Sequence, residues 1–561
     1  MRYVMPLIVE RPKRSELLMP AGNLEKLKIA VLYGADAIYM GTPDMSLRSK
    51  SEITLDDAVE GVEFAHKHGK RVYLTLNLFS HNKDIPKLPE YIETIRMVKP
   101  DGVIIADPGV FQMVKEQAPE LELHVSTQAN ICSWLSVDFW QKQGASLCVM
   151  AREVSFPELT EIREKCPTVK LEAFVHGAMC MTYSGRCLLS NFMAERGANQ
   201  GSCANSCRWN YKVHMRMKDN TVKEIGLTEE TRELFEFFLE EGYRPGEYMQ
   251  LEEDDRGSYI LNSKDLCLLP HLDDYMKLGV DSLKVEGRNK SAFYVSIVAR
   301  AYRMAIDDWY KDPENWNPRE YMEELYTVPN RGYTFAFHEG RLTNHSHNYE
   351  DTKSLAEFEY AGIIREVHDD AFIVEIKNKL EAGDVLEFMP PCHRKTICLR
   401  MYEFENAKTN NKTDVVVQGK QPFIRIPFDL FDHMDVSTLK KKLPELTMIR
   451  KEKSLTAREW ERLKMDKSGQ QMEQGNAPEL RYEKAKSNLI AEIKKGNMVR
   501  KPKTPRFGVV GCCGKGCNGC LVFWHDDGYA KARALLAEKQ QGELLESDLY
   551  TQPLDIGEVA E

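Results

Sequence analysis

The chain has 561 residues, 42% of them hydrophobic, and a formal net charge of -10. At roughly 150 residues per domain, this length predicts about three folding units, and the acidic balance argues against a surface uniformly covered in phosphate-binding cations. No apolar run approaches the roughly 18 residues that cross a bilayer, and charges throughout residues 1–18 leave no apolar core for a secretory signal, so we expect a cytoplasmic protein.

Short apolar runs recur through the first half of the chain, and most are followed by a helical stretch. Buried strands that alternate with helices are typical of a parallel sheet covered on both faces. Eight such units predict an α/β fold with a (β/α)8, TIM-barrel-like domain over residues 15–340, and a doubly wound open sheet is the structural alternative. The eight predicted strands are Glu16–Met19, Ala37–Met40, Arg71–Leu76, Gly102–Ala106, Leu123–Ser126, Leu147–Ala151, Leu171–Val175 and Ser282–Val285.

The seventh and eighth predicted strands are separated by a long connection that contains Cys180, Cys187, Cys203 and Cys207. Their pattern is C-x6-C-x15-C-x3-C, and four thiolates converging from one loop suit zinc or an iron-sulfur cluster. Structural zinc prefers closely spaced pairs, and only the second pair here is close. The spacing therefore favours iron-sulfur over zinc.

Polar side chains lie at the carboxyl ends of several predicted strands, where barrel enzymes place their catalytic groups. Each has a simpler interpretation as well. Asp107 precedes a proline and fits a turn, Asn77 fits a helix cap, and the two arginines fit ion pairs with the neighbouring glutamates. The candidates are Asn77, Asp107, Gln128, Arg152 with Glu153, His176, and Glu286 with Arg288.

The remainder of the chain is divided into three predicted parts. Residues 292–310 read as an amphipathic helix, and alternation near residues 358–388 predicts a small β-barrel domain over 341–449. Residues 450–506 carry 16 Lys/Arg against 8 Asp/Glu. This composition predicts a basic linker that contacts RNA, or a solvated helical face without a partner.

The last part, residues 507–561, is a Cys-rich extension with Cys512, Cys513, Cys517 and Cys520 among four glycines. Because neighbouring Cys512 and Cys513 cannot easily bind the same ion, His525 is a candidate to complete the ligand set. The cluster indicates a second metal site, for zinc or iron-sulfur, and a redox-active thiol pair is the alternative.

Several segments together resemble peptidase family U32, the collagenase-like peptidases, and more closely a bacterial branch that hydroxylates tRNA. The similarity covers roughly residues 15–450. It is carried by FVHGAMC (174–180), YSGRCLLS (183–190), NQG (199–201), CRWNY (207–211), ELLMPAG (16–22), YGADA (33–37), RPGEYM (244–249), NSKDL (262–266), LKVEGR (283–288) and RGYT (331–334).

The resemblance implies a tRNA-modifying enzyme that converts the wobble uridine to 5-hydroxyuridine. It implies a 4Fe-4S cluster on the four matching cysteines and prephenate as the required metabolite. Cys267 lies where some other branches of the family place a ligand, so it is an alternative to Cys203 or Cys207. The sequence contains neither HExxH nor GxSxG, and protease chemistry therefore has no zinc site or nucleophile of those kinds to use.

Roles for the strand-end residues follow from that function. Planar guanidinium groups suit a dicarboxylate such as prephenate, so Arg152 and Arg288 are the first candidates for binding it, with Asn77 and Gln128 beside them. His176, Asp107 and Glu286 are the catalytic candidates, and His176 either donates a proton or orients the cluster loop. Alternative functions are an iron-sulfur hydroxylase acting on ribosomal RNA or a quinone precursor, a collagenase-like peptidase, and a non-catalytic assembly factor.

Overall fold

A computed structural model of the chain forms two compact units, 1–474 and 475–561. The second unit lies outside the described residues. Within the described part, no helix is long and apolar enough to cross a membrane. The structure describes residues 14–41, 53–77, 80–180, 183, 190, 214–216, 222–224, 237–240, 248–254, 257–259, 263–340, 346, 354–391, 393–431, 434–457, 459–464 and 467.

The first unit begins with a series of parallel strands. They are followed by short strands in the long connection and by the strands that complete the domain. The strands in chain order are β1 (Glu16–Ala21), β2 (Ala37–Met40), β3 (Arg71–Leu76), β4 (Gly102–Ile105), β5 (Glu122–Val125), β6 (Leu147–Val149), β7 (Lys170–Ala178), β8 (His214–Arg216), β9 (Val222–Glu224), β10 (Phe237–Glu240), β11 (Tyr248–Asp254), β12 (Gly257–Tyr259), β13 (Asp265–Cys267), β14 (Ser282–Val285) and β15 (Tyr333–Thr334).

Eight of these strands close into a parallel barrel. The order β14-β1-β2-β3-β4-β5-β6-β7 is closed because β14 pairs in parallel with both β1 and β7. Each of the eight predicted strands is a barrel strand, so the predicted (β/α)8-like fold is confirmed and the open sheet is excluded. Beyond β7 the sheet continues outside the barrel, since β13 pairs antiparallel with β7 and β15 pairs with β13.

Helices cover the outer face of the barrel, except the last, Val436–Lys442, whose Leu439 packs in the core of the second sheet, and most begin at a side-chain cap. Thr54 and Asp57, for example, form a reciprocal capping box at the start of the second helix. The helices are α1 (Leu24–Leu32), α2 (Leu55–Lys67), α3 (Leu88–Val98), α4 (Pro108–Gln117), α5 (Trp134–Gln143), α6 (Phe156–Lys165), α7 (Leu272–Leu278), α8 (Ala292–Lys311), α9 (Arg319–Tyr326) and α10 (Val436–Lys442).

Alternate residues of the barrel strands face outward to the helices and inward to the barrel centre. Leu17 and Ile38 belong to the large core under the helices, whereas Tyr39 and Tyr73 belong to a small inner cluster. The centre is partly polar. Lys284 donates to Glu172 across 2.6 Å, and their side chains are 6% and 0% exposed. The apolar appearance of these strands in the sequence therefore hides a buried ion pair.

The second half of the unit is an antiparallel sheet of eight strands in the order β20-β19-β25-β16-β17-β24-β21-β22. Pairing of β20 with β22, which would close it into a barrel, is not found among the described residues. Strand β25 extends past the predicted domain boundary at residue 449. The strands are β16 (Phe358–Val367), β17 (Ala371–Ile376), β18 (Leu380–Glu381), β19 (Val385–Met389), β20 (Ile397–Arg400), β21 (Phe404–Asn406), β22 (Lys412–Thr413), β23 (Val415–Val416), β24 (Phe423–Pro427) and β25 (Met448–Glu452).

This sheet is fixed against the outer helices of the barrel. The Tyr33 hydroxyl donates to the Met389 carbonyl and accepts from the Met448 amide, each across 2.8 Å. The rings of Phe293 and Tyr360 stack with centroids 5.5 Å apart and an interplanar angle of 5°. These contacts are buried or partly buried, so the sheet and the barrel belong to one compact unit.

Candidate active site at the barrel mouth

Three cations and two aromatic rings form a continuous row across the carboxyl end of the barrel. The Arg152 guanidinium carbon lies 4.1 Å from the centre of the Phe174 ring, and Lys284 Nζ lies 5.5 Å from the same ring. Lys284 Nζ is also 4.4 Å from the Tyr39 ring centre, over which Arg288 lies at 5.7 Å. We call Arg152, Phe174, Lys284, Tyr39 and Arg288 the mouth row. It brings the two predicted prephenate-binding arginines to one face of the barrel.

The cations of the mouth row differ in how their charge is compensated. Lys284 is paired with buried Glu172, as described above. Arg288 donates to Thr75 Oγ1 at 3.4 Å, and no described carboxylate forms an ion pair with it. Burial lowers the pKa of Arg288, which shows that its charged form is partly desolvated. A desolvated guanidinium of this kind is suited to an anionic ligand.

Tyr39 is held rigidly beneath the arginines. Its hydroxyl donates to the Val285 carbonyl at 3.0 Å, and burial raises its pKa far above the usual range. The phenol therefore stays neutral and acts as an aromatic surface for the neighbouring cations.

Glu153 follows Arg152 on the same loop and is half-buried. Burial raises the pKa of Glu153, and the nearby positive charge of Arg152 opposes that effect. The charges of Arg152 and Glu153, which the sequence predicted as a pair, are therefore close enough to influence each other. Glu153 Oε2 is buried without a hydrogen bond to any described residue.

Asn77 and Gln128, the other predicted binding residues, meet at the end of β5. Both are buried, with 9% and 7% of their surface exposed. Asn77 Nδ2 donates to Ser126 Oγ at 3.4 Å, and the same hydroxyl accepts from the backbone N–H of Gln128 at 3.3 Å. The structure thus brings two of the predicted polar residues together through Ser126, which the sequence reasoning did not select.

Asp107 caps a helix. Its Oδ1 accepts hydrogen bonds from the Gly109 and Val110 amides at 2.8 Å and 3.1 Å, at the start of α4. This is the local role that the following proline already suggested. The geometry gives the carboxylate a structural function, and its predicted catalytic role remains a prediction without a contact that supports it.

His176 lies inside a cage of tyrosines and is 1% exposed. Its ring centre is 5.9 Å from that of Tyr294 and 5.5 Å from those of Tyr302 and Tyr333, and Nδ1 lies 3.4 Å from the Tyr302 hydroxyl. Burial lowers the pKa of His176 to about 3, so the ring is neutral near neutral pH. These contacts favour the orienting role over that of a charged proton donor.

Glu286 connects β14 to the end of β7. Its Oε2 accepts from the Ala178 amide at 3.4 Å, and its carbonyl accepts from the Tyr294 hydroxyl at 3.0 Å. Gly177 has φ +122°, and a Cβ there would lie 2.6 Å from the Glu286 carbonyl oxygen. The close approach requires glycine at this position. Glu286 therefore fixes the strand end from which the cysteine loop begins.

Cys180 is exposed and lies two residues beyond β7. Cys187, Cys203 and Cys207, together with the C-terminal Cys512, Cys513, Cys517 and Cys520, lie outside the described residues. Cys267 is fully buried, 3.7 Å from the sulfur of Met322, and burial raises the pKa of its thiol to about 12. Cys203 and Cys207 lie outside the described residues, so the alternative in which Cys267 replaces one of them stays a prediction.

Sequence reasoning missed Tyr39, Phe174 and Lys284 in the mouth row. The signal that identifies Phe174 and Lys284 is the period of two within each strand. Glu172 and Phe174 both lie on the inner face of β7, and Lys284 lies on the inner face of β14. Counting inward by two residues from His176 selects Phe174, and from Glu286 it selects Lys284. Tyr39 lies on a strand without a strand-end candidate, so this signal does not select it.

Comparison with known proteins places these features in a family. The family model for peptidase family U32 matches residues 22–348. The tRNA hydroxylation protein P of Escherichia coli is 38% identical over 442 residues, which cover 74% of this chain and 95% of the relative. The tRNA hydroxylation protein P1 of Bacillus subtilis is 37% identical over 383 residues, covering 68% and 84%.

A more distant relative, a 23S rRNA 5-hydroxycytidine synthase of Escherichia coli, is 30% identical over 294 residues, which cover 52% of this chain and 39% of the relative. The family match covers more than half of the chain and contains every residue of the mouth row. The chain belongs to peptidase family U32.

Proposed function

We propose that this chain is a tRNA-modifying enzyme that hydroxylates the wobble uridine to 5-hydroxyuridine. The observation that carries the proposal is the 38% identity to a tRNA hydroxylation protein across 95% of that relative. The proposed site is the barrel mouth, where the side chains of the mouth row converge. A tRNA substrate is in keeping with a cytoplasmic enzyme.

Prephenate is the proposed metabolite at the mouth row. Its two carboxylates match the bidentate donors of Arg152 and Arg288, and an arginine fork fixes both the position and the orientation of a carboxylate. The rings of Phe174 and Tyr39 support the guanidinium groups from below. Asn77 and Gln128, held together through Ser126, are proposed to contact the hydroxyl of the same ligand.

A 4Fe-4S cluster is the proposed cofactor of the cysteine loop, with Cys180, Cys187, Cys203 and Cys207 as its ligands. The fit is supported by Cys180, because an exposed thiol at the carboxyl end of a barrel strand is accessible to a cluster at the mouth. Such a cluster supplies electron transfer when bound. Within the chain, Glu286 orients the backbone before Cys180, and His176 secures the strand. The cysteines at 512–520 are proposed to form a second metal site.

The proposal is tested by mass spectrometry of nucleosides from purified tRNA in a strain that lacks the gene. We expect 5-hydroxyuridine to disappear, to return with the wild-type gene, and to stay absent with Cys180→Ala. A tRNA profile that is unchanged in the deletion strain would contradict the proposal.

A second candidate keeps the chemistry and changes the RNA. The similarity to a 23S rRNA 5-hydroxycytidine synthase supports ribosomal RNA as the alternative substrate class. The same deletion strain separates the two, because hydroxylated nucleosides would then be lost from ribosomal RNA and retained in tRNA. The quinone-precursor, peptidase and assembly-factor alternatives predict no change in either RNA.

A further inference from the structure

Two histidines and one aspartate face each other beside the barrel, outside the mouth row. His271 ends the turn before α7, Asp274 lies in the first turn of α7, and His338 follows β15. Asp274 Oδ2 lies 3.6 Å from His271 Nδ1 and 3.8 Å from His338 Nε2. One donor atom from each of the three residues lies within 4.8 Å of the others. We call these residues the His-Asp-His cluster.

The spacing of the cluster suits coordination better than direct hydrogen bonding. Separations of 3.6 Å and 3.8 Å are too long for hydrogen bonds between these atoms. A tetrahedral ion with bonds of about 2.0–2.2 Å holds its ligand atoms about 3.4 Å apart. The two separations from Asp274 therefore exceed that value by only a few tenths of an ångström, and the third, between the histidine donors, is at most 4.8 Å, so the two imidazoles have to move closer together to share one ion.

Neighbouring side chains already orient the donors. The Tyr275 hydroxyl lies 3.2 Å from His338 Nδ1, which leaves Nε2 of that ring directed towards Asp274. Metal-binding histidines normally have such a partner on the second ring nitrogen. His271 packs edge-on against Phe335 with centroids 4.5 Å apart, and its ring lies 4.2 Å from that of His338.

His271 adds an unexplained polar group to the cluster. Its Nε2 is buried and has no hydrogen-bond partner among the described residues. Its Nδ1 lies 3.6 Å from Asp274 Oδ2, at an ion-pair separation. A buried Nε2 without a partner is unfavourable, because buried polar groups in folded proteins are normally satisfied. Coordination through Nε2 would give that nitrogen a partner, whereas coordination through Nδ1 would use the side of the ring that already faces Asp274.

We propose that His271, Asp274 and His338 bind one divalent transition-metal ion, zinc or ferrous iron, with the remaining coordination positions open to water. Two imidazoles and one carboxylate form a donor set that both ions accept. The Asp274 side chain is 37% exposed, so an ion can enter from solvent. None of its three ligands belongs to the cysteine loop, and the site does not depend on the proposed function.

The ion would fix one wall of the active site. The His338 carbonyl accepts from the Phe156 amide at 3.0 Å, at the start of α6, and the loop before α6 carries Arg152. Arg152, Phe174, Tyr275 and His338 also line one cavity of about 20 Å³, which holds roughly one water molecule. Coordination would connect the start of α7 with the turn after β15, and so would stabilise the end of the mouth row that contains Arg152.

The test is metal binding by the whole purified chain after dialysis against a chelator. Zinc is titrated in one arm, and ferrous iron is titrated without oxygen in the other. Asp274→Asn should bind the ion at least about tenfold more weakly, since removing even an outer partner of a ligand weakens binding by about 10–100-fold. Tyr275→Phe should show a smaller loss because it removes only the orienting contact of His338.

His368→Gln is the matched control. His368 lies 2.7 Å from Glu366 in an exposed histidine–carboxylate pair that has no third donor among the described residues, so this variant should bind the ion like the wild type. X-ray absorption at the metal edge distinguishes nitrogen and oxygen ligands from the sulfur of the cysteines. Equal binding by the wild type and Asp274→Asn, no binding by the wild type, or an ion bound by sulfur alone would overturn the proposal.

Discussion

Replacing Arg288 by lysine tests the prephenate-binding proposal, because the structure separates the two contributions of this residue. Within the fold, Arg288 makes one long hydrogen bond of 3.4 Å to Thr75 and lies 5.7 Å from the centre of the Tyr39 ring. Lysine keeps the charge and can keep the contact with the ring. The loss in the free energy of unfolding should therefore be about 1 kcal/mol or less.

The loss in ligand binding should be larger. A hydrogen bond to a charged group contributes about 1.5–3 kcal/mol, and an ammonium cannot reproduce the second donor of the fork. Since about 1.4 kcal/mol corresponds to a factor of ten, the prephenate concentration for half-maximal activity should rise about tenfold or more. Arg152→Lys should behave alike, and iron content and tRNA affinity should stay near those of the wild type.

The assay is tRNA hydroxylation in vitro across a range of prephenate concentrations, with urea unfolding of the same preparations. Arg163→Lys is the control at the opposite end of the barrel. Arg163 donates to the Val169 and Gly279 carbonyls at 2.8 Å and 2.9 Å and forms a buried ion pair with Asp281. The Arg163→Lys variant should lose about 3 kcal/mol or more of its free energy of unfolding, and the prephenate concentration that it needs for activity should not change.

Two results would refute this reasoning. If Arg288→Lys and Arg152→Lys retain full activity at limiting prephenate, the arginines do not bind it. If both variants unfold or lose iron, the residues are structural and the ligand binds elsewhere.

Three further predictions concern the metal, the RNA and the barrel interior. Cys180→Ala and Cys187→Ala should each remove iron and activity together, and normal iron content would show that the ligands are wrong. An internal deletion of residues 468–506 removes 9 Lys/Arg and 4 Asp/Glu. This deletion should weaken tRNA binding and its salt dependence, whereas unchanged affinity would place the RNA site on the rest of the chain. Burial raises the pKa of Glu16 to about 7, so its contribution to stability should be present below about pH 4.5 and fall as pH rises through 7. Urea unfolding of Glu16→Gln should lack this dependence, and an equal pH dependence in both proteins would contradict it.

The barrel could be predicted because its strands carry their information locally. Four to six apolar residues bounded by turns identify a strand without knowledge of its partner. Eight such strands predict a closed barrel, in which the last strand, β14, pairs with both β1 and β7. The helix predicted from 292 is observed as Ala292–Lys311 for the same reason. The additional pairing of β13 with β7 was not predicted, because three residues give too short a pattern.

The candidate site was predicted only where a side chain lies at a strand end. Arg152, Arg288, Asn77 and Gln128 lie at the same edge of the barrel, since the carboxyl ends of parallel strands share one edge, but the arginines belong to the mouth row and the other two residues contact Ser126. Roles could not be assigned in the same way. Whether Asp107 caps a helix or faces a ligand depends on the direction of one side chain, and the sequence does not encode that direction in a visible pattern.

The distinction between Lys284 and Arg288 shows why charge compensation has to be determined in three dimensions. Both cations lie against Tyr39, and both belong to the segment LKVEGR. Lys284 reaches Glu172, 112 residues away in sequence, and the pair is buried together. Burying a cation is unfavourable unless an anion accompanies it, and for Lys284 the fold provides that anion. For Arg288 the described residues provide a hydroxyl group and the Tyr39 ring but no ion-paired carboxylate, so a bound anion would add the compensation that Lys284 already has. This difference makes Arg288 the residue at which a substrate carboxylate would gain most.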